Sequence, residues 1–123
     1  MKFQDLISYQ KSMTLSMKIF WISKTFPKDE IYSLTNQIRR SSRSVSANIA
    51  EAYRKRDYPR HFHSKLTDAD AENSETQVWL KYSIECLYIS QEIYTELHND
   101  SEEIGKLINY MILNPKKFGV KDS

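Results

Sequence analysis

The stretch Thr35-Asn36-Gln37-Ile38-Arg39-Arg40-Ser41-Ser42-Arg43-Ser44-Val45-Ser46-Ala47-Asn48-Ile49-Ala50-Glu51-Ala52-Tyr53-Arg54-Lys55-Arg56 decides the fold. It contains no Gly or Pro and is rich in small residues. At about 100° per residue on a helix, Ile31, Leu34, Ile38, Val45, Ile49 and Ala52 fall within roughly 40° of one line, a stripe that faces a core. Arg39, Arg40, Arg43 and Arg54 fall within about a 100° arc on the far side, with Ala47 and Ala50 between them. Small side chains bury little area and, in the case of Ser, favour helix poorly, so their use here is to let another helix approach closely. The stretch therefore predicts a helix packed on neighbours on more than one side.

Working outward, Thr25-Phe26-Pro27 ends a preceding helix, because the residue before Pro is pushed out of the helical region. That first helix is expected from about Asp5 to Ser23, with Leu6, Met13, Met17 and Phe20 on its inner face and the methionines acting as core filler. Phe26 is expected to tuck into the end of the bundle. The second helix is expected to begin near Lys28 or Asp29. Its acidic start (Asp29, Glu30) and basic end (Arg54, Lys55, Arg56) suit the helix dipole, which leaves the mid-helix Arg39, Arg40 and Arg43 unexplained. Gln37, Ser44, Asn48 and Glu51 form a polar line on one flank, and such groups need partners if buried.

Asp57-Tyr58-Pro59 is the next break, with Asp57 as a possible cap and Pro59 in the first turn. The third helix is expected over 60–87. Phe62, Leu66, Ala69, Asn73, Thr76 and Leu80 share its inner face, and Asp68, Glu72 and Glu75 form an acidic stripe that offers partners to Arg40. Neither Gly nor Pro marks Tyr88-Ile89-Ser90, so periodicity alone allows one helix through Asn99. A fourth helix over 91–113 turns Ile93, Leu97, Ile104, Leu107, Ile108 and Met111 inward, and Asn114-Pro115 stops it. Residues 1–115 thus form one helical domain, and the polar tail 116–123 is expected to be disordered.

With 123 residues, two Gly and three Pro, the chain suits a single all-α domain. The lone Cys86 forms no internal disulfide and is expected in the core. With no targeting segment or membrane-length apolar run recognised, a reducing cytoplasm is expected and no membrane partner. Charge is segregated. Residues 39–65 carry 8 basic and 2 acidic side chains, and residues 66–123 carry 5 basic and 11 acidic. This suits either an anion-binding surface or packing of basic on acidic helices.

Gln37-Ile38-Arg39-Arg40, then Ser44-Val45 and Asn48-Ile49-Ala50-Glu51, resembles the signature of the four-helix-bundle proteins encoded in intervening sequences of bacterial 23S rRNA genes. Their pattern reads roughly QxRRAxxSIxxNIAEG, and Ala52 departs from its last Gly. Phe3-x-x-Leu6, Phe26-Pro27-x-x-Glu30 and Tyr88-Ile89-Ser90 agree as well, so the resemblance covers about residues 3 to 113. It implies a break before Ser90, an up-down four-helix bundle and a ring-like homo-pentamer in a bacterial cytoplasm. Through the related accessory variability protein of diversity-generating retroelements, it implies association with nucleic acid and with a reverse-transcriptase-like partner. The positions matching the motif are Gln37, Arg39, Arg40, Asn48 and Glu51. Arg40, Asn48 and Glu51, with Glu75 opposite Arg40, read as structural.

No catalytic constellation is found. His61 and His63, two apart on a helix, point to different faces, no Glu-x-x-His pair exists, and two glycines cannot build a phosphate-cradling loop. A non-enzymatic protein without metal or cofactor is expected. The open case is the basic set Arg39, Arg43, Arg54, Lys55, Arg56 and Arg60, interleaved with Tyr53, Tyr58 and Phe62. It could neutralise phosphates and stack on bases of structured RNA or an RNA–DNA hybrid. Alternatively it forms a solvated face with salt bridges between helices, and the protein is an interaction scaffold. Salt-dependent RNA retention separates the two.

Overall fold

A computed structural model describes residues 1–121. Four helices account for most of the chain: α1 Ile7–Ser23, α2 Leu34–Arg54, α3 Pro59–Glu85 and α4 Gln91–Leu113. Short 3-10 turns cover Phe3–Asp5, Lys28–Glu30 and Pro115–Phe118, and no strand occurs among the described residues. α1 packs on α2 and α4, and α3 packs on the same two, so α1 and α3 lie on a diagonal. Cross-helix partners run in opposite order along each pair, as in Lys11–Glu103 with Lys18–Asp100 and in Arg40–Glu75 with Glu51–Lys65. The bundle is therefore up-down, which the short connections require.

The inner stripe of α2 is buried from Leu34 through Ile38, Val45 and Ile49 to Ala52. Ile31 is exposed instead, because α2 begins only at Leu34 and the turn before it swings Ile31 outward. Glu30 takes over the start of the helix. Its carboxylate accepts from the Ser33 hydroxyl at 2.6 Å and the Leu34 N–H at 3.4 Å.

α1 faces the other way from the methionine expectation. Met13, Met17 and Trp21 are exposed, while Ser8, Ser12, Leu15, Ser16, Ile19 and Ser23 face the core. Hydrophobic periodicity misplaced this helix because serine can behave as a small core residue. Each buried hydroxyl can return its hydrogen bond to a carbonyl one turn back, as Ser12 does to Tyr9 and Ser23 to Phe20. Polar satisfaction then needs no neighbour, and the helices close up. Ser16 and Ser42 meet at 3.4 Å across α1–α2, and Thr76 donates to Ser41 at 2.9 Å across α2–α3. Phe62, Leu66, Leu80, Ile104 and Ile108 fill the core on either side of this polar middle.

The connection between α3 and α4 is set by Leu87, which adopts φ 63°. The Tyr88 N–H reaches the Ser83 carbonyl at 2.9 Å, and Ser90 then caps α4 by accepting from the Ile93 N–H at 3.2 Å. Because α3 stops at Glu85, Cys86 is exposed rather than in the core. Phe26 is buried against Tyr88 at the same end of the bundle. Disorder was expected from residue 116, but Pro115–Phe118 form an ordered turn and Val120 is buried. Residues 122 and 123, the last of that expectation, lie outside the described residues.

Candidate nucleic-acid interface

Two basic clusters lie along the outer side of α2. The first is the corner where α2 gives way to α3. Lys55 ends α2, donating its N–H to the carbonyls of Glu51 and Ala52, and Pro59 opens α3 four residues later. Asp57 does not cap α3; the residue before the helix is Tyr58, with no side-chain cap bond. Arg54, Lys55 and Arg60 are exposed, and none has a carboxylate partner among the described residues. The negative end of the α2 dipole favours cations here. Tyr58 is 61% exposed and its ring meets His61 edge-on, the centroids 5.9 Å apart.

Tyr53 and Phe62 are buried, so they are not available to stack on bases. Arg56, also in the expected binding set, is half-buried and held within the subunit. Its guanidinium lies 3.8 Å from the Tyr53 ring centre, and Nη1 donates to the Tyr53 carbonyl at 2.7 Å. A side chain on Gly119 would come within 3.3 Å of Arg56, so Arg56 is wedged between α2 and the C-terminal turn.

The second cluster is Arg39 with Arg43, one turn apart on α2. Arg39 Nε donates to the Ser23 hydroxyl at 2.8 Å. Both guanidinium groups lie over Phe20 of α1, at 5.0 and 5.6 Å from the ring centre. Lys24 reaches the same ring at 4.8 Å and Trp21 at 5.2 Å, so three cations surround one aromatic pair. An open groove of about 760 Å³ runs beside them, lined by Ile31, Tyr32, Asn36, Arg39, Arg43 and Ala47 among others. Eleven residues of helix put Arg43 about 16 Å from Arg54. The structure thus divides the basic set into a corner, a mid-helix pair and the wedged Arg56.

Of the motif residues, Arg40 and Glu51 bridge α2 to α3, while Gln37 and Asn48 bond within α2. Arg40 Nη1 donates to both Glu72 oxygens at 3.1 and 3.3 Å, Nη2 donates to Glu75, and Nε donates to Gln37 at 3.2 Å. Glu75 also accepts from the Trp79 indole at 3.0 Å. Desolvation works to lower the Arg40 pKa, but the Glu75 bond and the Glu72 charge outweigh it and the net direction is up. The pair is not deeply buried, with 42% of the Arg40 side chain exposed. Asn48 donates to the Ser44 carbonyl at 2.9 Å. Glu51 bridges to Lys65 at 2.9 Å, and that bond raises the Lys65 pKa. His61 and His63 are exposed. Among the described residues no group of three or more His, Cys, Asp or Glu could hold a metal ion, and no helix is long and apolar enough to cross a membrane.

A family model described as 23S rRNA-intervening sequence protein matches residues 4–110. The crystal structure of a protein of unknown function from the S23 ribosomal protein family of Bacteroides thetaiotaomicron superimposes with a TM-score of 0.80 at 33% identity. The match covers 92% of this chain and 99% of that one. Comparison with curated proteins gives no match.

Proposed function

The chain belongs to the 23S rRNA-intervening sequence protein family, and we propose that it is a non-enzymatic homo-pentamer that binds structured RNA through phosphate contacts at the α2–α3 corner. The observation that carries this reading is the set Arg54, Lys55 and Arg60, exposed and without a carboxylate partner among the described residues, around the exposed ring of Tyr58. On α1, by contrast, Lys11 is neutralised by Glu103, and Lys18 by Glu96 and Asp100. Free cations beside an exposed aromatic suit phosphates and an unstacked base. Phosphate contacts carry no sequence information, so on this reading recognition is by backbone and shape. A ring repeats the corner in every subunit, and weak contacts then sum by avidity.

Filter binding of a structured RNA by the intact protein across salt concentrations tests this. Affinity should fall with salt by about 0.7–0.9 in log–log slope per phosphate neutralised. Absence of binding at low salt removes the RNA reading and leaves a protein-interaction scaffold.

A further inference from the structure

The outward side of α1 carries Met13, Met17 and Trp21, one turn apart, at 40%, 45% and 61% exposure. Ile31 and Tyr32, also exposed, extend the patch across the start of α2. The core side of α1 is already occupied by Leu15, Ile19 and its serines, so these side chains lie outside the subunit's core. Apolar residues grouped this way mark an interaction surface. The cations beside it, Lys24, Arg39 and Arg43, have no carboxylate partner among the described residues.

On the diagonally opposite helix, α3 exposes Val78 and Tyr82, one turn apart, at 49% and 55%. The same outward line of α3 carries Ala71 and Ser74, small enough for close approach, and Asp68 and Glu75. Asp68 makes no ion pair among the described residues, although its charge acts on nearby Lys65, and the two carboxylates Glu72 and Glu75 share the single guanidinium of Arg40. One side of the bundle is therefore apolar and basic, and the other is apolar and acidic, with the small Ala71 and Ser74 beside Val78 and Tyr82.

We propose that the α1–α2 face bearing Met17, Trp21 and Arg39 docks on the α3 face bearing Val78 and Tyr82 of a second copy of this chain. Charge selects that occupant. A two-fold contact of the α1–α2 face with itself would bring Lys24, Arg39 and Arg43 against their own copies, and like charges oppose such docking. Basic against acidic face removes that opposition and sets apolar residues of both faces against each other. Because the two faces lie on opposite sides of one subunit, the contact is heterologous and propagates from copy to copy until a ring closes. This rests on the oligomer in the proposed function, and it assigns Arg39 and Arg43 to subunit contact rather than to RNA.

Two variants test it, read by light scattering after gel filtration, with circular dichroism confirming helix content. Met17→Asp/Trp21→Asp spoils the first face and Val78→Asp/Tyr82→Asp the second. Each variant alone should be a monomer, and their equimolar mixture should give a one-to-one dimer through the remaining intact faces. That dimer also shows that both variants fold. If the second variant keeps the wild-type mass while the first is monomeric, the pairing is overturned and the oligomer stands. A mixture that stays monomeric overturns the pairing too. A monomeric wild-type protein at micromolar concentration overturns the oligomer itself, and the pairing with it.

Discussion

Asn73 of α3 and Ser101 of α4 bind each other twice. The Asn73 amide donates to the Ser101 carbonyl at 2.9 Å, and the Ser101 hydroxyl donates to Asn73 Oδ1 at 2.9 Å. Both residues are buried, and Gln77 adds a 3.0 Å bond to the same hydroxyl. Gly105 makes room for the clamp, since a Cβ there would lie 3.3 Å from Asn73 Nδ2. Asn73→Ala leaves a small void and strips the Ser101 hydroxyl of its acceptor, at a cost of about 1–3 kcal/mol. In urea denaturation the midpoint should fall with the slope unchanged.

Arg40 should matter less than a mid-helix arginine facing two carboxylates suggests. Its side chain is 42% exposed, so water screens the charges, and a pair of this kind contributes about 0.2–1 kcal/mol. Arg40→Ala should destabilise by about that much, with the loss shrinking as salt rises. The indole fluorescence of Trp79, which shares Glu75 with Arg40, should report the rearrangement.

These cases separate what the sequence carries from what it hides. The α2 stripe from Leu34 to Ala52 was legible because apolar residues recur there at helical spacing, and the α3 stripe because Phe62, Leu66 and Leu80 anchor its two ends on one face. α1 was not, because its core face is mostly serine and its surface face carries the Met and Trp. A reader weighting hydrophobicity alone turns such a helix inside out. The pairing of Arg40 with acids on α3 followed from spacing. The burial of Tyr53 and Phe62 beside the basic corner did not, because no local pattern says which aromatic on a charged stretch turns inward.

Leu87 was equally illegible, since a left-handed residue after a helix is usually Gly. The conformation costs a side-chain-bearing residue roughly 1–2 kcal/mol, partly offset in Gly by the greater freedom of the unfolded chain. Leu87 is exposed, so little packing is lost on truncation. Leu87→Gly should therefore raise the thermal midpoint, as a calorimetric scan would show, and Leu87→Val should lower it.

Tyr88 ties the two loops at one end of the bundle by donating to Glu30 Oε2 at 2.8 Å. The bond to Glu30 pushes the Tyr88 hydroxyl up from 10.0 to about 12. The Ser33 bond first, and the Tyr88 bond second, hold Glu30 below its ordinary 4.5. For Tyr88 the folded pKa is the higher one, so its contribution is complete below pH 10 and is lost between 10 and about 12. For Glu30 the folded pKa is the lower one, so its contribution is complete above the unfolded value and fades as pH falls below about 4.5. Tyr88→Phe should flatten both limbs of the stability–pH profile, measured by denaturant midpoints from pH 3 to 11.

The arginines at the end of α2 should separate by role although they are two positions apart. Arg54 and Arg60 are exposed without a carboxylate partner among the described residues, while Arg56 is held by Tyr53 and packed against Gly119. Arg54→Ala/Arg60→Ala removes two phosphate ligands per subunit and touches no core residue. RNA affinity should drop alike for unrelated sequences, and the log–log salt slope should flatten by about 1.4–1.8 for each engaged subunit. The thermal midpoint should stay put. Arg56→Ala should do the reverse. It releases the C-terminal turn that buries Val120 and leaves the Tyr53 ring uncovered, so stability falls while the salt slope holds. Should Arg56→Ala flatten the slope as much as the double variant, the corner would not be divided in this way, and the guanidinium wedged on Tyr53 would have to swing out to reach phosphate.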